Sequence, residues 1–280
     1  MALLSDRSKF AVNPIEEENV LARRLAAKGM KIIGLNKGDP PKYFPTPRYV
    51  IDAYVRALRA GRTAYSGMAD ESVLKDAIAR RYKRAYNIGL GEEDIVITAG
   101  VSEALAFLNN ALINKGDIGI LFRPYYTIYA SLLGMSEGRM QLEDYDERDS
   151  WNVHVDNLRR SLGSMSRSGR IRRVKYMLIT NPNNPTGTVL RREILKEIVD
   201  ISNEYGILLV SDEIYDEIVY NGAKLTSVGQ VARGVPHVIL NGASKVYDAT
   251  GFRVGFAMIP EDDGKSAALK EAMENYSLVR

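Results

Sequence analysis

The stretch Asn241-Gly-Ala-Ser-Lys-Val-Tyr-Asp-Ala-Thr-Gly-Phe-Arg-Val-Gly255 follows an apolar run, Val238-Ile-Leu240, that reads as a short buried strand. It holds one lysine, Lys245, an arginine, Arg253, and the glycines Gly242, Gly251 and Gly255. A lysine just past a buried strand sits where the backbone turns, beside the crevice that open α/β sheets leave there. Desolvation favours its neutral form, and a neutral amine is a nucleophile for carbonyl groups. Alone, the stretch reads as well as a solvated lysine in a turn. The rest of the chain shifts that balance.

The 280 residues suffice for one large α/β domain, or one domain and part of another. Apolar content of 45% and charged content of 26% are those of an ordinary globular protein. The net charge of +3 does not suggest a nucleic-acid partner. The locally basic segment 167–175, with Arg167, Arg170, Arg172, Arg173 and Lys175, reads as a solvated loop before a strand. The absence of cysteine excludes disulfides and thiol catalysis. His154 and His237 lack metal-ligand spacing, so no metal is expected. No apolar run suggests a signal peptide or a membrane span, and a cytoplasmic location is expected.

Residues 15–28 form an amphipathic helix pattern after Pro14, and residues from Ile32 a short strand running into Gly38-Asp-Pro-Pro41. Residues 46–60 read as a helix with Thr46 as N-cap and Pro47 in first position. A loop holding Tyr65 precedes a periodic helix over 72–86. Strands then alternate with helices: strands at 95–98, 118–122, 140–142, 174–180, 207–211, 238–240 and 254–259, helices at 102–113, 127–133, 155–162 and 191–204. This predicts a mostly parallel, seven-stranded sheet with helices on both faces. Residues 265–280 read as a further helix, with no glycine or proline to end it.

Parallel strands send their following loops to one edge, where ligands bind. Those loops are Gly100-Val-Ser-Glu103, Arg123-Pro-Tyr-Tyr126, Asn181-Pro-Asn-Asn-Pro-Thr-Gly187, Asp212-Glu-Ile-Tyr215 and Ser244-Lys245. Val101 and Ser102 at a helix start offer N–H groups and a hydroxyl to a phosphate, and Arg253 adds a fixed charge. Tyr126 offers a face to a flat ring, and Asp212 a carboxylate to a protonated ring nitrogen. Asn184 and Tyr215 offer hydrogen bonds to a ring hydroxyl, and Lys245 a Schiff-base amine. The ligand these groups describe is pyridoxal 5′-phosphate. Singly, each has a plainer reading: a double turn at 181–187, a cap at Ser102, packing aromatics at Tyr125, Tyr126 and Tyr129.

On these motifs the chain, from about residue 15 onward, resembles the fold-type I pyridoxal phosphate enzymes of the class I/II aminotransferase family. Leu35-Asn-Lys-Gly-Asp-Pro40, Val101-Ser-Glu-Ala-Leu105 and Asn241-Gly-Ala-Ser-Lys-Val-Tyr247 resemble its alanine aminotransferase-like branch. The resemblance implies transfer of an amino group from an amino acid, alanine foremost, to a 2-oxo acid, 2-oxoglutarate foremost, in a ping-pong cycle. Catalytic roles fall to Lys245, Asp212 and Tyr215, and cofactor contacts also to Val101, Ser102, Tyr126, Asn184 and Arg253. Gly38 and Asn184 would lie against substrate. Tyr65 would reach the phosphate in a second copy, which implies a homodimer with shared sites.

The domains expected are an arm with part of a small domain (1–45), a large cofactor-binding domain (46–264), and the start of a helix leading to a small domain not present (265–280). The pattern departs at Gly242, where some members have a phosphate-binding serine, and in lacking an identifiable arginine for the substrate α-carboxylate. A truncated form, holding cofactor without efficient turnover, is therefore expected. Aspartate or aromatic aminotransferases, β-lyases and other reactions on the same cofactor are alternatives, as is a binding module without turnover. A nucleotide-binding enzyme is disfavoured, since neither glycine-rich phosphate motif occurs.

Overall fold

The computed structural model describes residues 3–36, 38–64, 68–260, 264 and 266–279. Its helices are α1 (Pro14–Ala26), α2 (Arg48–Arg59), α3 (Met68–Tyr86), α4 (Val101–Leu112), α5 (Ile128–Met135), α6 (Val155–Arg167), α7 (Arg192–Tyr205) and α8 (Ala267–Leu278). Its strands are β1 (Ile95–Thr98), β2 (Ile118–Arg123), β3 (Arg139–Asp146), β4 (Asn152–Val153), β5 (Val174–Thr180), β6 (Leu208–Asp212), β7 (His237–Gly242) and β8 (Gly255–Met258). They form one sheet of eight strands in the order β1-β8-β7-β6-β5-β2-β3-β4.

The β3–β2–β5–β6–β7 pairings are parallel, and β8 runs antiparallel between β7 and β1. Strand β1 therefore points the same way as β7. Its following loop opens on the same edge as those after β2, β5, β6 and β7, and β8 begins at that edge, next to Arg253.

The sheet is covered on both faces because its strands are apolar at odd and even positions alike. Met177 and Ile179 of β5 pack with Tyr82, Leu162 and Ile198 on one face. Tyr176 and Leu178 pack with Leu108, Tyr129 and Leu133 on the other. Helix α8 docks on this second face: Met273 is fully buried, Tyr276 stacks on Phe107 of α4, and Lys270 pairs with the buried Asp94 at 2.9 Å.

Helix α3 locks the loop after β6 and the end of β7 from the first face. Arg81 binds Asp216 at 2.7 Å and Glu217 at 2.6 Å, Tyr86 OH donates to Asp216 at 3.0 Å, and Asn241 donates to Tyr82 OH at 2.8 Å. Glu213 is fully buried there, its Oε1 accepting from Ser211 Oγ and from the Val228 N–H. Burial pushes its carboxyl up to about 7.

The eighth strand, β4, is an addition to the seven expected. It pairs antiparallel with the end of β3 after Ser150 and Trp151 turn in left-handed conformation. The strand expected from Ile32 does not form: Ile33 is 75% and Leu35 93% exposed, and no neighbour supplies a ladder. Pro47 stands at the cap position of α2 rather than inside it, with extended backbone. The Thr46 hydroxyl donates to the Asp248 carbonyl instead of capping the helix. The backbone before a proline is driven away from the helical region, which turns Thr46 outward from the helix. The basic segment is not a loop throughout, since α6 reaches Arg167 and Arg170–Arg173 form a 3-10 turn. No described helix is long and apolar enough to cross a membrane.

Arg81→Ala leaves Asp216 charged, buried and short of its main partner. It should destabilise the fold by about 3–5 kcal/mol, the cost of breaking a buried pair. Thermal or urea denaturation measures this; a loss below about 1 kcal/mol, the size of a surface pair, would contradict the anchoring role.

Candidate active site

Asp212 ends β6 at the edge where the five loops meet. Side chains alternate along a strand, so Asp212 shares the face of Val210, toward α4 and α5, while Ser211 and Glu213 share the other. It is buried, yet satisfied: Tyr129 OH donates to Oδ2 at 2.6 Å, and the Ile214 N–H donates to Oδ1 at 3.1 Å. Tyr129 OH also lies 3.1 Å from Thr180 Oγ1. Burial pushes the Asp212 carboxyl up to about 6, against the opposing pull of Tyr129, the Ile214 N–H and the Lys245 charge.

Asp212 borders a cavity of about 520 Å³. At one end of the cavity α4 begins. Gly100 takes φ +90° as its N-cap, and the first N–H groups of the helix, at Val101 and Ser102, have no intrahelical partner and belong to residues that line the cavity. The Arg253 guanidinium closes that end, donating to the carbonyls of Ala99 (3.1 Å) and Thr250 (2.9 Å). A methyl group on Gly100 would lie 2.4 Å from Arg253 Nη2, and one on Gly255 would lie 2.5 Å from Gly100 Cα. Both glycines are thus required for β8 to bring its arginine against the helix start. Helix N-terminus and guanidinium together make a site for a doubly charged oxyanion.

The segment 181–187 is a scaffold for one residue. Asn181 is buried, accepting from the Leu190 N–H and donating to the Thr226 carbonyl. Buried Asn183 accepts from the backbone and hydroxyl of Thr186. Asn184 is left half-buried on the cavity wall and donates to Tyr215 OH at 3.2 Å. Burial and Asp212 raise the Tyr215 phenol above its ordinary range, so it stays protonated. The Tyr126 ring also lines the cavity, edge-to-face with Tyr129 at 5.5 Å. Lys245 Nζ donates to the Gly38 carbonyl at 2.9 Å, which sets both at the cavity.

The structure thus brings together Gly38, Val101, Ser102, Tyr126, Asn184, Asp212, Tyr215, Lys245 and Arg253 around one cavity. Tyr65 lies outside the described residues. Two features escaped the sequence reading. Tyr129, weighed as a packing aromatic, is the hydroxyl that holds Asp212; its spacing of three from Tyr126 across a helix start was the available signal. Asp39, bonded to Thr250 Oγ1 at 2.9 Å, ties the N-terminal segment over the site, where Asn13, Glu16 and Asn36 add to the wall. Nothing local in the sequence marks a contact between residues so far apart in the chain.

Known proteins resemble this chain in sequence and in fold. The sequence profile of the family "Aminotransferase class I and II" matches residues 30–278. The chain is 32% identical to the aspartate aminotransferase of Bacillus subtilis over 86% of its own length and 59% of that protein. It is 31% identical to the probable aspartate aminotransferase of Methanocaldococcus jannaschii, over 85% of itself and 59% of the relative. Among solved structures, it matches the alanine aminotransferase of Pyrococcus furiosus with a TM-score of 0.90 and 33% identity, over 99% of itself and 68% of that chain. A Thermus thermophilus aspartate aminotransferase double mutant matches with a TM-score of 0.85 and 30% identity, covering 99% and 68%. The chain thus spans about three-fifths (59%) of the length of the curated relatives it matches. Members of the family use pyridoxal 5′-phosphate. The match over residues 30–278, together with the fold, places this chain in the class I and II aminotransferase family.

Proposed function

We propose that the chain is the cofactor-binding part of an aminotransferase that moves the amino group of an amino acid, alanine foremost, to a 2-oxo acid, 2-oxoglutarate foremost, in two half-reactions. The observation that carries this reading is Asp212. A buried carboxylate, fixed by Tyr129 and Ile214, faces a cavity whose far end is a phosphate cradle and whose wall holds a lysine. That donor set fits pyridoxal 5′-phosphate, and the cradle closed by Gly100 and Gly255 fits its phosphate. The cofactor supplies an aldehyde for the amino group and a ring that takes up electrons as the Cα–H bond of the substrate breaks.

The chain's own residues would bind, orient and move protons. Val101, Ser102 and Arg253 hold the phosphate. Asp212 keeps a proton on the ring nitrogen, since its desolvated charge is offset by a cation in contact. Asn184 and Tyr215 hold the ring hydroxyl oxygen, and Tyr126 packs on the ring. Among the described residues lining the cavity, Lys245 is the sole primary amine. Its Nζ would anchor the cofactor and then take the substrate α-proton and return it elsewhere. Gly38 would lie against the substrate carboxylate.

In this reading residues 46–264 are the cofactor-binding domain, and 1–45 and 265–280 lead to a small domain of the kind the longer relatives leave room for. The active protein would be a homodimer in which Tyr65 reaches the second copy's phosphate. Its support is the exposed apolar surface of the N-terminal region: α1 and α2 bury no residue, and Leu21, Leu35, Tyr54 and Leu58 stand open. Alanine as donor is supported by the likeness to the P. furiosus alanine aminotransferase. Aspartate is the second reading, because the curated relatives carry that name.

Borohydride reduction of the chain with pyridoxal 5′-phosphate, followed by peptide mapping, should place the pyridoxyl group on Lys245; a label on another lysine overturns the assignment. A panel of amino donors, read as 2-oxo acid formed per cofactor, should rank alanine above aspartate. The reverse order selects the second reading, and no amino transfer from any donor by the full-length protein removes the function.

Stability of the cofactor-free chain should depend on pH through the two buried carboxyls. Both are held above their ordinary values, Asp212 at about 6 and Glu213 at about 7. The folded chain therefore keeps protons that the unfolded chain releases. Their contribution is complete below the ordinary carboxylate range and is lost as pH rises through 6 and 7. The melting temperature should fall from pH 5 to pH 8, less steeply in Asp212→Asn and Glu213→Gln. Cofactor should remove the Asp212 share and leave that of Glu213. A profile that both substitutions leave unchanged would contradict this.

A further inference from the structure

We propose that the opposite edge of the sheet carries a second binding site, formed by Arg139, Arg170 and Arg173 around Gly116, for a small anion bearing two linked phosphates. Strands β2, β3 and β5 are parallel, with Ile118 in register with both Arg139 and Val174. Their first residues therefore sit side by side at the amino edge. Arg139 opens β3, and Arg170 and Arg173 lie in the turn that leads into β5. Together with Gly116, Ile118 and Met140 they line a cavity of about 450 Å³. The six-residue β2 separates this edge from the cofactor edge, a distance of about 20 Å.

Gly116 turns with φ +84°, and the side chains of Arg173 and Arg139 lie against it. A methyl group there would lie 3.1 Å from Arg173 Nη1 and 3.9 Å from Arg139 Nε. Some arginines of this chain are ion-paired, Arg81 with Asp216, Arg123 with Asp144, Arg159 with Glu204 and Arg191 with Asp149, while others among the described residues, such as Arg172 and Arg192, are not; what sets these three apart is that they line one cavity. Among the described residues, Arg139, Arg170 and Arg173 have no ion pair and no side-chain hydrogen bond. Two acids lie near: Asp117, engaged by the Asn114 N–H and by Lys175 at 3.5 Å, and Glu137, whose carbonyl accepts from the Gly116 N–H and which forms no ion pair with the three arginines.

Three unpaired forks around one space repel one another until an anion fills it, and guanidinium forks match phosphate oxygens in pairs. One phosphate occupies one or two forks; three forks suit two linked phosphates. The groove is small, with Ile118 and Met140 as apolar wall, and the chain's net charge is only +3. Both favour a compact ligand over a nucleic acid, which calls for an extended basic stripe. Arg172, in the same turn, does not line the cavity and serves as a control.

The test is calorimetric titration of the 280-residue chain, at low salt, with inorganic phosphate, inorganic pyrophosphate, ADP and a short oligonucleotide. Pyrophosphate should bind at least about tenfold more tightly than phosphate, as expected for added charge-assisted contacts. Arg139→Gln and Arg173→Gln should each weaken it about tenfold or more, while Arg172→Gln and Arg253→Gln leave it unchanged. The Arg253 control separates this site from the cofactor cradle, so the outcome does not depend on the proposed function. ADP bound as tightly as pyrophosphate identifies a nucleotide source, and pyrophosphate bound more tightly an inorganic one; both support the site. It is overturned if pyrophosphate fails to bind below millimolar concentration, if Arg172→Gln or Arg253→Gln weakens it as much, or if the oligonucleotide binds more tightly.

Discussion

A carboxylate buried at the end of a central strand is costly unless its environment is built for it, and the organisation of this site follows from how Asp212 is accommodated. Tyr129 OH at 2.6 Å and the Ile214 N–H at 3.1 Å satisfy both of its oxygens. They do not fully compensate desolvation, and the carboxyl remains held up at about 6. What is missing is a positive charge in contact. In the proposed function a protonated ring nitrogen would supply that charge, and the same contact would keep the ring a good electron acceptor. On that reading, one electrostatic shortfall would account for both affinity and chemistry.

The sheet delivers Asp212 because it is held from both faces. On one side α5 contributes Tyr129, which is buried along with Leu133. On the other, α3 grips the loop after β6 and the end of β7 through Arg81, Tyr82 and Tyr86. The end of β7 that leads to Lys245 is thus tied to the same helix as the loop that follows Asp212. The phosphate cradle is positioned separately, by backbone contact between Gly255 and Gly100. That contact explains why the antiparallel strand β8 is inserted between β7 and β1. It brings Arg253 back to the edge that a further parallel strand would leave from its opposite end.

Much of this was legible in the sequence because the decisive features are local. Uninterrupted apolar runs ending in polar loops give parallel strands, and the residues that follow them must share an edge. That logic assembled Val101, Ser102, Tyr126, Asn184, Asp212, Tyr215, Lys245 and Arg253, which the structure gathers around one cavity. What was not legible depends on distant partners. The Tyr129 hydroxyl gains its meaning from a residue 83 positions away. Thr46 looks like a cap until Asp248 is placed beside it. Ile32 and Ile33 look like a strand until no neighbouring strand is found. Arg170 and Arg173 look solvated until Gly116 and Arg139 appear across the cavity.

The central claim is that Asp212 keeps the bound ring nitrogen protonated. Nitrogen-15 NMR of the chain carrying pyridoxal 5′-phosphate labelled at the ring nitrogen measures this directly. The account predicts a protonated nitrogen at pH 8, with the proton lost in Asp212→Asn and retained less firmly in Tyr129→Phe. An unprotonated nitrogen in the unsubstituted chain, or a protonated one that survives Asp212→Asn unchanged, would contradict it.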